Sequence, residues 1–373
     1  MPEVKAGLQG VVIAQTSICS IDGERGRLTY RGYDIQDLAA NSTFEEVIYL
    51  LWHGRLPKAD ELASLRGHLA QNRAVDPASL TLLKELPRAQ HPMETLRTLV
   101  SALSLYDPEA EAMTEDSNRH KASRLTAQMG TLVAAMGRVR AGKEPVMPDS
   151  NLSHAANFLY MLTGKAPNSE DARCLDVALI LHADHSFNAS TFAARVTAST
   201  LSDMHSAITS AVGTLKGPLH GGANERVMRM LLEVETVERA APYIHGLIGK
   251  KQKVMGFGHR VYHTEDPRAT VLRKMSEELG RRAGQPKWFE ISRTIEETMI
   301  HEKKINANVD FYSASAYFSL GIPLELYTPV FAASRIAGWT AHVLEQYADN
   351  KLIRPLAEYT GPVNLKYTPV GQR

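Results

Sequence analysis

Cysteine is nearly missing: Cys19 and Cys174 are the only two in 373 residues. They stand far apart, with no CxxC pair and no zinc-type spacing, which argues against a disulfide framework or a thiolate metal site and favours a reducing compartment. An excess of charge of one sign is missing too. Lys plus Arg number 42 against 41 for Asp plus Glu, so no net field attracts nucleic acid or membrane wholesale, and any anion must be held by local clusters. Long apolar runs are absent, none approaching the roughly 20 residues that a membrane helix needs. The N-terminus, Met-Pro-Glu-Val-Lys-Ala-Gly-Leu, carries no basic-then-apolar signal. The expectation is a soluble, cytoplasmic protein. No internal period of roughly 20–50 residues is visible, which argues against a solenoid. The length allows one large domain with a subsidiary one, or two domains, around a sizeable core.

Strand signals are also scarce. Val11 to Tyr33 is the one convincing β region, with Val11, Val12, Ile13, Thr16 and Ile18 before a turn at Asp22-Gly-Glu-Arg-Gly26 and then Leu28-Thr-Tyr30; it reads as a small hairpin or ribbon. Beyond it the chain is helical. Thr43-Phe-Glu-Glu46 has capping-box spacing, Val47, Leu50 and Leu51 follow at helical intervals, and Gly54 and Pro57 stop the run. Further helices are expected over 58–72, 78–86, 92–106, 117–141 and 153–163. Another runs from Asn168 or Ser169 to His182, and one long helix from Asn188 to Leu215. The last group is expected near 223–234, 236–250, 267–282, 288–303, 311–320 and 329–349. The fold class is mainly α with a small N-terminal β hairpin.

Three stretches stand out chemically. His220 lies between glycines in Lys216-Gly-Pro-Leu-His-Gly-Gly-Ala-Asn224, and His259 follows Gly256-Phe-Gly258. Asp310 sits in Asn308-Val-Asp-Phe-Tyr-Ser313. A single histidine of this kind ordinarily serves its own turn. Two of them with an aspartate form a kit for acid/base chemistry on a carbon acid. Gly256-Phe-Gly258 lacks the third glycine and the leading strand of a dinucleotide fingerprint, so a Rossmann reading is discarded. His182-x-x-His185, with Asp184, Asp203 and His205, has the look of a metal site, but no HExxH base accompanies it; the alternative is hydrogen bonding to a substrate near a helix end. Arg268, Arg335 and Arg354 stand in unusual settings, Arg335 among small and apolar neighbours where its charge needs a partner or an anion. Lys250, Lys251, Lys253, Lys303 and Lys304 form two basic groups, either solvated or placed to hold a phosphorylated cofactor.

Together with Leu28-Thr-Tyr-Arg-Gly-Tyr-Asp34, Leu181-His-Ala-Asp-His-Ser-Phe-Asn-Ala-Ser-Thr191, Asp266-Pro-Arg268 and Arg354-Pro355, these segments resemble the citrate synthase family, in the family's order over nearly the whole chain. The resemblance implies a helical homodimer in which residues 1–221 and 326–373 form a large domain and 222–325 a small one that closes over the substrates. It implies condensation of acetyl-CoA with oxaloacetate to citryl-CoA, then hydrolysis. Asp310 would be the base, His220 would hydrogen-bond the thioester oxygen, and His259 would polarise and protonate the oxaloacetate carbonyl. His185, Arg268, Arg335 and, from the neighbouring subunit, Arg354 would bind oxaloacetate. The CoA contacts would be the stretch Val254, Met255, Gly256, Phe257 and Gly258 with Lys250 and Lys303. Acetyl-CoA would be a co-substrate, with no tightly bound cofactor and no metal. His263 departs from the lysine or arginine frequent at its position, which weakens an expected phosphate contact. An N-terminal extension associated with NADH-inhibited hexamers is not apparent, so no NADH control is expected.

The close alternative is 2-methylcitrate synthase, using propionyl-CoA. Outside that family, a metal-dependent hydrolase built on His182, His185 and Asp203 would be inactivated by a chelator. A non-catalytic helical scaffold would tolerate loss of Asp310 or His220.

Overall fold

The structure, a computed structural model, describes residues 4–8 and 10–373. The first three residues of the N-terminal segment lie outside this range.

The β region is a three-stranded antiparallel sheet of β1 (Cys19–Asp22), β2 (Arg27–Tyr30) and β3 (Tyr33–Asp34). Cys19 pairs with Tyr30 and Asp22 with Arg27, closing the hairpin over the expected turn. Val11, Val12, Ile13 and Thr16 are outside the sheet and largely exposed. Their β-branched character predicted a strand, but that preference is expressed only against a paired, half-buried surface.

The helices follow as α1 (Ile35–Asn41), α2 (Phe44–His53), α3 (Ala59–Gln71), α4 (Pro77–Glu85), α5 (Pro92–Ala102), α6 (Glu115–Arg140), α7 (His154–Thr163) and α8 (Ser169–His182). Then come α9 (Ala189–Ser199), α10 (Met204–Leu215), α11 (Ala223–Val234), α12 (Val237–Gly249), α13 (Pro267–Arg282), α14 (Lys287–Lys303), α15 (Val309–Ser319) and α16 (Tyr327–Ala348). Their starts follow local chemistry. The Thr43 hydroxyl accepts from the Glu46 N–H while the Glu46 carboxylate accepts from the Thr43 N–H at 2.8 Å, completing the capping box at α2. Pro92 occupies the first turn of α5, where a missing N–H costs little.

The single long helix expected from Asn188 to Leu215 is two. Leu201 adopts φ 62°, and Asp203 accepts the Ser206 N–H at 3.0 Å to start α10 afresh. An Asp ahead of a polar turn is a cap that stops one helix as it starts the next. The short α1 lies in a stretch where no helix was expected. Asp34 caps it, and Ile35, Leu38 and Ala39 are buried.

Helix α16 is the central pillar, buried over most of Tyr327–Val343 and packed against α2, α6, α8, α9 and α10. Helices α11 to α15 pack mainly on one another, α13 and α11 against α15 and α12 against α14. The ends of α8, α9, α10, α15 and α16 meet where these groups face each other, and the cavity described next lies there.

Candidate active site

His185, His220, His259, Arg268, Asp310 and Arg335 line one cavity of about 140 Å³. Residues separated by up to 150 positions in the sequence meet because His185, Arg268 and Asp310 stand at or just beyond helix ends and His220 and His259 in the loops between helices, while Arg335 projects from the middle of α16.

His259 is held by its own loop. Its Nδ1 accepts the backbone N–H groups of Val261 at 3.0 Å and Tyr262 at 3.1 Å. The ring proton is therefore on Nε2 when the imidazole is neutral. His220 is held by the opposite nitrogen and from a distant element. The Ser190 N–H, in the first turn of α9, donates to His220 Nε2 at 3.2 Å, with the Ser190 hydroxyl 2.8 Å away. That leaves Nδ1–H as the donor of His220. Burial, with Arg335 adding to it at His220 and Arg268 at His259, lowers both pKa values to about 4. Both rings are neutral donors at pH 7.

Asp310 stands in the first turn of α15, whose cap Asn308 accepts the Asp310 N–H at 3.0 Å. Its carboxyl is raised to about 6, first by burial and then by Asp266, against the opposing pull of Arg268 and Arg335. The result is a base ionised at neutral pH but far stronger than an ordinary aspartate.

The two arginines in the cavity differ. Arg268 is 2 % exposed and forks onto Asp266, with Nε at 2.9 Å and Nη2 at 2.8 Å. Asp266 also accepts the Val309 N–H at 3.2 Å, which ties the arginine to the Asp310 helix. Arg335 is equally buried but has no carboxylate within salt-bridge distance among the described residues; its Nε donates to the His182 carbonyl at 2.6 Å, and its guanidinium lies over Phe331. Burial lowers its pKa. A desolvated guanidinium without a counter-ion is a site for an incoming anion.

The 254–258 stretch is pinned to the segment before α15. Gly258 N–H donates to the Asn306 carbonyl at 3.0 Å, and Asn308 N–H donates to the Gly256 carbonyl at 2.9 Å. Gly256 has φ 81°, and a Cβ there would lie 2.7 Å from Val227 Cγ2 and 2.8 Å from Phe311 Cδ2, so only glycine fits. Val254 and Phe257 bury their side chains and Met255 is half-buried, leaving mainly backbone to face outward; Lys250 and Lys303 are exposed. His263 turns to the hairpin instead, donating its N–H to the Gly23 carbonyl at 3.0 Å, with its ring 3.6 Å from Glu24.

Two expected groups lie elsewhere. Arg354 is exposed in the chain after α16, beside a different cavity. His182 is wholly buried against Phe331, its Nδ1 bonded to the Ala178 carbonyl at 2.7 Å, while His205 lies 3.3 Å from Asp107. Among the described residues no group of three His, Cys, Asp or Glu side chains converges as metal ligands. Histidines three apart shared a helical spacing, but α8 ends at His182 and the following turn sends His185 elsewhere.

Several contributors escaped sequence reasoning. Tyr262 places its hydroxyl 3.2 Å from His185 Nε2, and Asp266 neutralises Arg268. Arg226 clamps the His220 loop by donating to the carbonyls of Pro218, Gly221 and Gly222. Only Asp266 carried a signal, as an acid two residues before an arginine at a Pro-started helix.

A tuned carboxylate, two fixed neutral donors and an unpaired guanidinium in one cavity suit an enzyme that removes a proton from carbon beside a carboxylated second reactant. Known proteins agree with that class. The family model described as "Citrate synthase, C-terminal domain" matches residues 7–356. The chain is 53 % identical to the citrate synthase of Haloferax volcanii, covering 100 % of this chain and 99 % of that one. It is 52 % identical to citrate synthase 2 of Bacillus subtilis, covering 98 % of each. The 2-methylcitrate synthase 1 of Corynebacterium glutamicum is 42 % identical, covering 100 % of this chain and 99 % of that one. A solved citrate synthase from Thermoplasma acidophilum, in ternary complex with carboxymethyl coenzyme A and oxaloacetate, superposes with TM-score 0.95 at 34 % identity and full coverage of both chains. The chain belongs to the citrate synthase family and is an acyltransferase condensing acetyl-CoA with oxaloacetate.

Proposed function

We propose that this condensation runs on the residues gathered in the cavity, with Asp310 as base, His220 as donor to the thioester oxygen and His259 as donor to the oxaloacetate carbonyl. Asp310 takes a methyl proton from acetyl-CoA. The charge that develops on the thioester oxygen meets the Nδ1–H of His220, because a base alone does not overcome the weak acidity of a thioester methyl. The new carbon–carbon bond forms at the oxaloacetate carbonyl carbon, and the carbonyl oxygen takes the Nε2 proton of His259 to become the hydroxyl of citryl-CoA. Water then cleaves the thioester to citrate and CoA. The observation that carries this reading is the opposed anchoring of the two rings by backbone N–H groups, which fixes both as neutral donors.

Arg335, Arg268 and His185 would receive the carboxylates of oxaloacetate. Arg354 would do so in a neighbouring subunit of a homodimer, a reading supported by its exposure and its place beside a cavity other than the one that holds Asp310. CoA would lie along the backbone of 254–258, with Lys250 and Lys303 near its phosphates. Residues 1–221 and 326–373 would form the large domain and 222–325 the closing one, supported by the mutual packing of α11 to α15. Closure would exclude water until the bond exists and assemble the site after oxaloacetate binds. No helix among the described residues is long and apolar enough to cross a membrane, and a cytoplasmic location is proposed.

Thiol release from acetyl-CoA, measured with and without oxaloacetate, tests the reading. Release is expected only with oxaloacetate; release without it overturns the assignment. Propionyl-CoA differs by one methylene, worth about 1–3 kcal/mol in binding, and turnover of propionyl-CoA above that of acetyl-CoA would make the enzyme a 2-methylcitrate synthase.

A further inference from the structure

Behind the cavity, a chain of buried polar side chains runs from the His185 turn to the segment that carries Arg354. Its centre is Arg195, on α9 and 3 % exposed. The guanidinium reaches three residues of α16: Nη1 lies 3.2 Å from His342 Nδ1 and 2.7 Å from Glu345 Oε2, and Nε donates to Gln346 Oε1 at 3.1 Å.

Toward the cavity, accepting from Arg195 leaves the proton of His342 on Nε2, which faces the Asp184 carboxylate, 3.4 Å from Oδ2 and 3.3 Å from Oδ1, with both side chains wholly buried. Asp184 Oδ2 accepts the Ser186 N–H at 3.0 Å. The residues on both sides of His185 are thus held. Phe187 sits between the Arg195 guanidinium, 4.6 Å from its ring centre, and the His342 ring at 5.5 Å. Gly338 lets α16 come this close: a Cβ there would lie 2.4 Å from both the Ala183 carbonyl oxygen and Asp184 Oδ1.

Away from the cavity, Gln346 Nε2 donates to Asn350 Oδ1 at 3.0 Å and to the Lys351 carbonyl at 3.3 Å. Asn350 Nδ2 donates to the Ser199 carbonyl, and the Ile353 N–H to Ser199 Oγ at 3.0 Å. Arg354 is the next residue. One guanidinium therefore fixes both the turn that presents His185 and the start of the segment that presents Arg354.

We propose that Arg195 is a positioning residue for oxaloacetate recognition, holding the His185 turn of its own subunit in register with the segment that carries Arg354 to the neighbour. This rests on the dimeric reading above. The two sites are then energetically linked through a contiguous buried network, and cutting either arm weakens oxaloacetate binding without removing any group that touches it.

The test uses the full-length enzyme and four variants: Gln346→Met, which cuts only the tail arm, Arg195→Lys, Arg354→Ala, and the double variant Gln346→Met/Arg354→Ala. Gln346→Met is expected to raise KM for oxaloacetate by about fivefold or more, with kcat, melting temperature and KM for acetyl-CoA at saturating oxaloacetate little changed. In the Arg354→Ala background the same substitution should add less than about twofold, because the residue it positions is gone. Arg195→Lys keeps a charge against Glu345 but cannot span His342 and Gln346 together, and it should shift the same KM. If Arg354→Ala raises KM for oxaloacetate while Gln346→Met and Arg195→Lys do not, or if the effects of Gln346→Met and Arg354→Ala multiply in full, the positioning role is overturned and the dimeric reading stands. If Arg354→Ala itself leaves KM unchanged, the dimeric reading falls and takes the proposal with it.

Discussion

The loops of His220 and His259 look alike in sequence, each a histidine beside glycine, yet they hold their rings by opposite nitrogens and by different means. His259 is fixed through Nδ1 by the next turn of its own chain, whereas His220 is fixed through Nε2 by Ser190, thirty positions away in sequence. One ring geometry is local and the other depends on tertiary packing. Both end as neutral donors because burial, reinforced by a nearby arginine, disfavours the imidazolium. The tautomer in each loop is set by whichever nitrogen meets a backbone N–H, a choice that the glycine motifs do not encode.

The strongest challenge to this comparison removes the base alongside which both histidines are proposed to act. Asp310→Asn is expected to lower kcat by roughly 10²–10⁴-fold with the circular dichroism spectrum unchanged; near-normal turnover would mean that the proton goes elsewhere. His220→Ala and His259→Ala should each cost about 10²–10³-fold in kcat. Steady-state kinetics at saturating substrates would separate them, and an effect in one variant alone would break the parallel between the loops.

A pH profile sharpens the contrast between base and donors. Because Asp310 titrates near 6, kcat/KM should fall by about tenfold per pH unit below that value as the base protonates. The histidines, near 4, should remain neutral across that limb. Stability responds with opposite signs. The native state binds the Asp310 proton more tightly than the unfolded chain, so this group adds stability as pH falls from about 6 towards the ordinary carboxylate range near 4. Each histidine binds its proton less tightly in the native state, and its contribution is lost as pH falls from about 6.5 to 4. Melting curves of the wild type and Asp310→Asn over that range would isolate the first contribution. An acid limb that stays near pH 6 in His220→Ala and His259→Ala supports assigning it to Asp310; one that moves with either histidine does not.

The smallest effect expected is that of Ser190→Ala, which deletes the hydroxyl near His220 but keeps the backbone N–H. A net hydrogen bond is worth about 0.5–1.5 kcal/mol, so kcat should fall by only roughly 2–10-fold. A loss as large as that of His220→Ala would show that the hydroxyl, not the N–H, sets the tautomer.

Much of this protein was legible from local chemistry. Caps and stops placed most helices, since the Thr43 box, Gly54, Pro92 and Asn168 act within one turn of where they stand. The break between α9 and α10 was missed because an Ala-, Ser- and Thr-rich run has helical character on both sides of Leu201. The strand expected from Val11 to Ile18 does not form, because β-branched residues favour a strand only against a paired surface, and pairing begins at Cys19.

The sequence by itself singled out the side chains proposed to carry the chemistry: His220, His259 and Asp310, which line one cavity, are set beside glycines or helix starts by short-range rules. It also marked Arg335 as a charge in need of a partner. Only the tertiary structure decided that Arg268 already has one in Asp266 while Arg335 does not, that His182 points into the core and His185 into the cavity, and which nitrogen of each histidine donates. Those outcomes depend on burial and on hydrogen bonds between residues far apart in the chain, and such contacts exist only once the helices have packed.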